Sequence, residues 1–596
     1  MVEEITRYLK DLNAEQKSVV QSNDNLYVTA CPGSGKTRVL TRKIAYQATK
    51  YKDSLKKIIA ITYTNRAANE IKERLETLGI EENNVWVGTI HQFCLEFIVY
   101  PFKMNLDRIS KGFTIIDDYT KREYLNEINE ILNLKLKSFE LEKIDLSLSL
   151  DLEIVEEEYP KISEMYHEIL RGNKEIDFDM ILLLAYRILF ENNVVTINIA
   201  NNIRAIYVDE FQDTRNLQYG IIGSLTRRNK SIQTLFVGDI DQAIYSSLNG
   251  IAKSIGELEK VTNQTFMPKT LHGCYRSTQR LVDFYSNFQS MPYQIESRGS
   301  NRDEIGIIKY NFKINKQDLP QEIKKVILER LENNVLEEDI CVISPQHYPL
   351  FALSEYLKKE LPTCNFDAIT VSPIKVNDHS AFFKLAVLYF TEPGIKVRKR
   401  KLIANEILNI FTNEFGIEIG EQFINLDLLK IINSAKKKFS ENDGVELYRF
   451  VTNLLFTSLN ISKEIYPNIF KQYDVFLKEM IQRINNNSLS RDLNSFYRMF
   501  KQNKGITIMT AHKVKGEEYD TVIAINLLKG KIPHWEEVIN GYDQGENSAK
   551  KLLYVICSRA KKNLYLFSEE GYSTTKSGTP LIPTPLLKSV TFNYNK

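Results

Sequence analysis

The sequence predicts an α/β protein built on two parallel sheets, each interrupted by a helical insertion. Three observations predict it. A glycine-rich loop, Ala30-Cys31-Pro32-Gly33-Ser34-Gly35-Lys36-Thr37, lies between an apolar run at 26–29 and a helical stretch. A second apolar run at 203–208 ends in Asp209-Glu210. A further set of strand-like runs begins after Arg276, at 305–310 and 340–344, and resumes at 506–510, 521–525 and 564–567. Apolar runs of this length without alternation read as strands buried on both faces, the mark of parallel sheets.

Each element has a local reason. Backbone N–H groups of a loop ending in Gly-Lys-Thr cradle phosphate oxygens, the lysine reaches the terminal phosphates, and the hydroxyl ligates Mg²⁺. Gly33 and Gly35 alone also fit a plain strand-to-helix turn. The Asp209-Glu210 pair decides otherwise, because it brings two carboxylates to the place of a metal and an attacking water. Together the two strings imply nucleoside triphosphate hydrolysis. Lys36 and Asp209 stand further apart than a minimal sheet needs. The surplus is helical, with apolar residues at three-to-four spacing over 121–132, 162–170 and 180–190. The stretch 379–500 interrupts the second sheet in the same way, with 382–389 and the stripe Val475, Phe476, Met480 and Ile484 as examples. Such stripes pack cores, and no function is given to them.

Bulk properties narrow the class. A chain of 596 residues is too long for one core and predicts three or four domains. A net charge of +2 gives no global attraction to nucleic acid, so contacts to it must be local. The six cysteines include no Cys-x-x-Cys pair, which argues against zinc or iron–sulfur sites and fits reduced thiols in a cytosol. The seven histidines form no ligand-spaced cluster. No run reaches the roughly 18 apolar residues of a membrane span, and the first ten residues lack the apolar core of a signal peptide. The expectation is a cytoplasmic, multidomain enzyme with no membrane partner.

Further strings carry a resemblance. They include Leu12-Asn13-Ala14-Glu15-Gln16, Thr62-Tyr63-Thr64-Asn65-Arg66-Ala67-Ala68, Gly88-Thr89-Ile90-His91 and Val237-Gly238-Asp239-Ile240-Asp241-Gln242-Ala243-Ile244-Tyr245. Others are Leu271-His272-Gly273-Cys274-Tyr275-Arg276-Ser277, Thr510-Ala511-His512-Lys513-Val514-Lys515-Gly516-Glu517-Glu518, and the segment 553–560 containing Arg559. From about residue 12 to about residue 588 the chain resembles the UvrD/Rep/PcrA branch of superfamily 1 helicases.

The resemblance implies two RecA-like P-loop NTPase domains. The first would span 1–95 and 201–275 with a helical insertion at 96–200. The second would span 276–378 and 501–596 with an insertion at 379–500. It implies ATP and Mg²⁺ as cofactors. Nucleotide would be held by Gln16, which reads adenine through its amide, and by Pro32, Gly33, Ser34, Gly35, Lys36, Thr37 and Arg38. Tyr275 would stack on the base, and Gly516 and Glu518 would face the nucleotide. Thr37 and Asp209 would bind the metal, and Glu210 would orient or activate water. Gln242 would sense the γ-phosphate, and Arg276 and Arg559 would reach it across the cleft, which makes hydrolysis depend on closure of the two sheets. Single-stranded DNA would be touched by Thr62, Thr64, Asn65, Thr89, His91, Tyr245, Thr510 and His512. Short polar side chains at strand ends suit phosphate and sugar contacts; capping of loops by Thr and Asn is the plain alternative. Asp177-Phe178-Asp179 is similar to a further family motif and receives no chemistry.

The chain departs from the family at Ser247 and Leu248, where relatives carry an aromatic residue and an arginine. It departs again at Lys513 and Glu517, commonly small or apolar. A stacked base is worth roughly 1–3 kcal/mol, so the first departure bears on stepping and unwinding. The basic run 396–401 reads as a solvated face, or as a contact to duplex phosphates ahead of a junction. The leading function is an ATP-dependent helicase or translocase on single-stranded and junction DNA, of 3′-to-5′ polarity by resemblance. The alternative is an ATP-gated nucleic-acid sensor or helicase-like subunit acting with a separate nuclease. Ser247 and Leu248 motivate it, as does the short stretch after Arg559, which leaves no room for a fused nuclease. Compact members of this branch occur beside nucleases in bacterial anti-phage systems, Gabija being one.

Overall fold

The computed structural model describes residues 5–80, 84–156, 158–244, 250–368, 373–375, 380–392, 397–420, 422–486, 489–500, 505–532, 542–574 and 578–595. The chain divides into two compact units. One comprises Met1–Ile90, Ile197–Thr370 and Asn503–Lys596, the other His91–Thr196 and Val371–Gln502.

The first unit contains two six-stranded sheets. Strands β1 (Leu26–Ala30), β2 (Lys57–Thr62), β3 (Val85–Thr89), β4 (Ile203–Asp209), β5 (Gln233–Gly238) and β6 (Met267–Leu271) pair in the order β3-β2-β4-β5-β1-β6. Every pairing is parallel. Val28, Ala60, Tyr207 and Val237 are buried in one cluster with helix α1 (Ala14–Gln21) and helix α2 (Lys36–Lys50). The four inner strands are apolar for this reason. The edge strand β6 holds Pro268 and an exposed Met267, so it carries no buried run and escaped the sequence reading.

The second sheet holds β7 (Ile308–Asn311), β8 (Ile340–Ser344), β9 (Phe366–Ala368), β10 (Ile506–Thr510), β11 (Tyr519–Ala524) and β12 (Ala560–Phe567). Their order is β7-β12-β11-β8-β10-β9, again parallel throughout. The run expected at 305–310 starts late. Ile305 is 88% exposed, and at Gly306 a Cβ would lie 1.8 Å from the Lys562 carbonyl. That close approach brings the chain to the sheet, and the ladder begins only at the Ile308–Leu564 pair.

Among the described residues the second unit is mainly helical, with a two-stranded pairing of Thr114–Ile115 with Glu175–Ile176 and an isolated bridge between Leu148 and Ile154. Its helices include α3 (Asp118–Ile131), α4 (Pro160–Gly172), α5 (Phe178–Glu191), α6 (Ala381–Tyr389), α7 (Val397–Asn413), α8 (Asn425–Lys438), α9 (Gly444–Ser458) and α10 (Pro467–Asn486). Tyr389, Tyr448, Met480 and Ile484 are buried in one core with Phe476 packed against it, so most of the apolar stripe packs as expected, while Val475 is half-buried on the wall of a cavity. Asp177 caps α5, accepting from the Met180 N–H at 2.9 Å, and takes a second hydrogen bond from Tyr166. The basic run is corrected at one position. Arg400 is 4% exposed and donates to the Leu388 and Thr391 carbonyls at 3.0 and 3.3 Å, satisfying the open end of α6. It is therefore withdrawn from any phosphate-facing surface. Lys396 lies outside the described residues. No single helix among the described residues is long and apolar enough to cross a membrane.

Candidate functional site

The glycine-rich loop leaves β1 and feeds α2. Gly33 and Gly35 adopt φ of +71° and +79°, a region that costs side-chain-bearing residues roughly 1–2 kcal/mol. Space forbids a substitution at Gly33 as well, since a Cβ would meet Arg276 Cβ at 2.6 Å and Cys274 Sγ at 3.1 Å. The loop thus leans on the segment entering the second sheet, and the Tyr275 N–H donates to the Gly33 carbonyl at 2.8 Å. Ser34 is buried, and its Oγ has no hydrogen-bond partner. Thr37 follows Lys36 in the first turn of α2. Pro32 is buried in the loop, whereas Arg38 is exposed and lies 3.7 Å from Asp11.

Lys36 Nζ stands 3.3 Å from both carboxylate oxygens of Glu210. Burial works to depress the Lys36 ammonium, but Glu210, Asp239 and Asp209 outweigh it and hold its pKa above the ordinary value. Burial raises Asp209, and the neighbouring Glu210 adds to it. Glu210 goes the other way: against burial, Lys36 and Lys515 hold it below the carboxylate range. Its backbone is in the left-handed region at φ +48°, which turns the chain sharply after β4. Asp239 is pushed up to about 6, chiefly by burial. Three carboxyl groups therefore share one ammonium in a poorly hydrated place.

Behind them runs a hydrogen-bonded network. Gln212 donates to Glu210 and accepts from the Asp239 N–H at 3.1 Å. Gln242 Nε2 donates to Asp239 at 2.6 Å, and its Oε1 accepts from Arg559 at 3.0 Å. Lys515 donates to Asp213 at 2.5 Å and to the Gln242 carbonyl at 2.8 Å. Arg559 is 2% exposed, and burial, reinforced by Arg276, brings its pKa down to about 9. Arg276 Nε donates to Glu518 at 2.7 Å and its Nη1 to the Ser558 carbonyl at 2.9 Å. Glu518 also lies 3.6 Å from Lys561. Gly516 takes φ +91° with open space where a Cβ would be.

On the loop's other side, Gln16 Nε2 donates to the Ser34 carbonyl at 3.0 Å, while its Oε1 accepts from the Asn13 N–H at 3.2 Å. Both ends of the amide that was expected to read adenine are thus engaged within the protein. Asn13 donates to the Tyr275 hydroxyl at 2.7 Å, and Tyr275 is 38% exposed.

The residues expected to meet DNA fall into several groups. Thr62 and Thr89 are register partners at the ends of β2 and β3, both buried. Thr62 Oγ1 donates to the Thr64 carbonyl at 2.9 Å. Thr64 caps the helix Asn65–Thr77 through the Ala67 N–H at 3.2 Å, so capping accounts for its hydroxyl. Asn65 Oδ1 is buried without a hydrogen-bond partner. Thr510 ends β10 beside Ser344, and His512 is exposed in the following turn. Arg66 and Glu517 form an ion pair that joins these two groups. His91 opens the second unit, with its ring edge-on to Phe178 at 5.8 Å. Tyr245, Ser247 and Leu248 lie outside the described residues.

Sequence reasoning passed over Lys515, Asp213, Asp239 and Gln212, although Lys515 and Asp239 lie inside strings it had singled out and Gln212 and Asp213 follow directly on Asp209-Glu210. Asn13 had a usable signal, the Asn-x-x-Gln capping box that α1 adopts.

A divalent cation fits this donor set. Mg²⁺ takes oxygen ligands, keeps several waters, and needs one or two carboxylates beside substrate phosphates. Asp209 with the Thr37 hydroxyl offers that, and the surplus of carboxyl groups around Lys36 is what a cation relieves. The partnerless buried Ser34 Oγ marks the loop as a cradle for a polar ligand.

Comparison with known proteins gives the same picture. Residues 12–263 match the UvrD/REP helicase N-terminal domain and residues 445–571 the UvrD-like helicase C-terminal domain. The chain is 23% identical over 625 residues to the ATP-dependent DNA helicase PcrA of Staphylococcus aureus strain Mu50, covering 94% of this chain and 83% of that one. Against the ATP-dependent DNA helicase PcrA of Staphylococcus epidermidis the identity is 25% over 650 residues, covering 98% of this chain and 86% of the relative.

Proposed function

The chain belongs to the UvrD/REP helicase family and is an ATP-hydrolysing DNA helicase, and we propose that it couples hydrolysis to 3′-to-5′ movement along single-stranded DNA. One observation carries the reading: Lys36 and Glu210 from the first sheet stand in one charged neighbourhood with Arg276, which packs on Gly33, and Arg559, which is joined to Asp239 through Gln242. In this reading the loop N–H groups and Lys36 hold the ATP phosphates, and Tyr275 stacks on the base. Thr37 and Asp209 would hold Mg²⁺, which when bound neutralises charge on the phosphate oxygens. Glu210, kept ionised by Lys36 and Lys515, orients the attacking water. Arg276 and Arg559 stabilise charge that develops on the transferring phosphoryl group.

Coupling follows from the contacts. Gln242 touches Asp239 on the first sheet's side and Arg559 on the second's, so a change at the phosphate shifts both. Thr62, Thr64, Asn65 and Thr89 on one side and Thr510 and His512 on the other would hold the strand, and the Arg66–Glu517 pair joins the two groups. We assign 1–95 with 201–275, and 276–378 with 501–596, to the two motor domains.

Steady-state ATP hydrolysis with and without single-stranded DNA tests this, with Lys36→Ala as background. Strong stimulation that the variant lacks supports the motor; hydrolysis indifferent to DNA rejects it. Duplexes with a 3′ or a 5′ single-stranded tail test polarity, and unwinding from the 5′ tail alone would reverse the assignment. Ser247 and Leu248 favour a second reading, a helicase-like subunit working with a separate nuclease in anti-phage defence. Weak unwinding by the isolated chain, restored by a co-purifying nuclease, would favour it.

A further inference from the structure

The first turn of α1 reaches three places at once. Gln16 holds the Ser34 carbonyl of the phosphate loop. Glu15 accepts from the His272 N–H at 3.0 Å, just past β6, and from Arg298 at 3.2 Å. Asn13 divides its amide between two tasks. Its Oδ1 accepts from the Gln16 N–H at 2.8 Å and closes the capping box, while its Nδ2 donates to the Tyr275 hydroxyl at 2.7 Å. Capping needs only the oxygen, and Ser, Asp and Asn serve about equally well there. The bond to Tyr275 needs the NH₂ end of the amide.

Tyr275 gains an anchor from that bond. Its backbone is already fixed. The N–H donates to the Gly33 carbonyl, and a Cβ at Gly299 would stand 2.3 Å from the Tyr275 carbonyl oxygen. The side chain is exposed, so packing leaves the ring some freedom to turn. Asn13 is half-buried and locked by the capping box, and it holds the ring at its far end. A ring ordered before the ligand arrives spares part of the entropy cost of binding.

We propose that Asn13 is a positioning residue for nucleotide binding, holding the Tyr275 ring by its hydroxyl in the orientation that receives the base. The inference rests on the reading of Tyr275 as the base-stacking residue. It makes the cap of α1 a part of the nucleotide site that acts through Tyr275.

The test is steady-state hydrolysis by the full chain over a range of ATP concentrations with single-stranded DNA present. Asn13→Ser keeps the cap and loses the donor. It should raise KM for ATP about threefold to tenfold, the scale of one neutral hydrogen bond, with kcat within about twofold of the parent. Tyr275→Phe keeps the ring and loses the hydroxyl, and it should raise KM by the same factor. The double variant should be no worse than either single one. The inhibition constant of tripolyphosphate, a competitor that has no base, should stay at the parent's value in all three.

Tyr275→Ala separates the inference from the reading beneath it. An unchanged KM in that variant would reject stacking and this inference with it. A raised KM there, beside the parent's KM in Asn13→Ser, would overturn the inference alone. Effects of the single variants that multiply in the double one would also overturn it, because the cap would then be the cause. A tripolyphosphate constant that rises with KM would do the same, because the loop would then be the cause.

Discussion

The two six-stranded sheets share a scaffold and differ in charge. Both are wholly parallel, with buried strands whose carboxyl ends carry the polar loops. Beyond the first sheet, Asp209, Glu210 and Asp239 gather around Lys36. The second contributes cations: Arg276, Arg559 and Lys515, each placed against an acceptor. Neither half is a hydrolytic site by itself. The fold supplies position, and complementary charge on two similar sheets supplies the chemistry.

The largest effect should come from removing a cation of the second sheet. Arg559→Ala is expected to lower the turnover number of DNA-stimulated ATP hydrolysis by about 10³-fold or more. A variant within about tenfold of the parent would break the comparison, because the first sheet would then suffice.

Lys515→Met tests the same complementarity through stability. It leaves Asp213, 2% exposed, without its ammonium partner and should cost about 3–5 kcal/mol in urea unfolding. Adding Asp213→Asn should recover part of the loss. A double variant no more stable than Lys515→Met would mean that the pair is not what joins the sheets.

A smaller, pH-dependent effect has one source beside the second sheet. Glu569, 1% exposed, accepts from the Asn526 N–H at 3.0 Å, while its other oxygen has no hydrogen-bond partner. Burial pushes it up to about 7. Between the ordinary glutamate pKa and that value the native state holds a proton that the unfolded chain has released. Stability therefore falls as pH rises through this window, by about 3 kcal/mol at most. Glu569→Gln should reduce the fall of the melting temperature between about pH 5 and pH 8, leaving the part that comes from Asp213, Asp239 and Glu414, which burial also pushes up. A variant with the parent's pH profile would remove Glu569 as the source.

The smallest effect should be at the exposed link. Arg66 is 80% exposed on its side chain, and Arg66→Ala should change stability by less than about 1 kcal/mol, the change shrinking further at high salt.

Legibility in the sequence followed the physics of each element. Strands β1, β4, β8, β10, β11 and β12 declared themselves because burial on both faces demands an unbroken apolar run, whereas the inner strands β2 and β5 were passed over. Strand β6 did not, because an edge tolerates Pro268 and Lys269. Lys36, Asp209 and Glu210 were readable because their chemistry requires particular residue types at fixed spacing in a strand–loop–helix. Lys515 was not, because its partner Asp213 is remote in sequence and lysines are ordinarily solvated. Arg400 misled for the converse reason, a basic run that folding splits between surface and core.

By itself the sequence determined the α/β class, the phosphate loop, the acidic strand end and the family, since all of these are local patterns under strong backbone and steric constraint. Only the tertiary structure decided which charges meet. It paired Arg559 with Gln242 and Lys515 with Asp213, and engaged Gln16 on the loop carbonyl. Such choices depend on which distant groups share a desolvated space, where an unmatched charge costs several kcal/mol, and no local pattern encodes that.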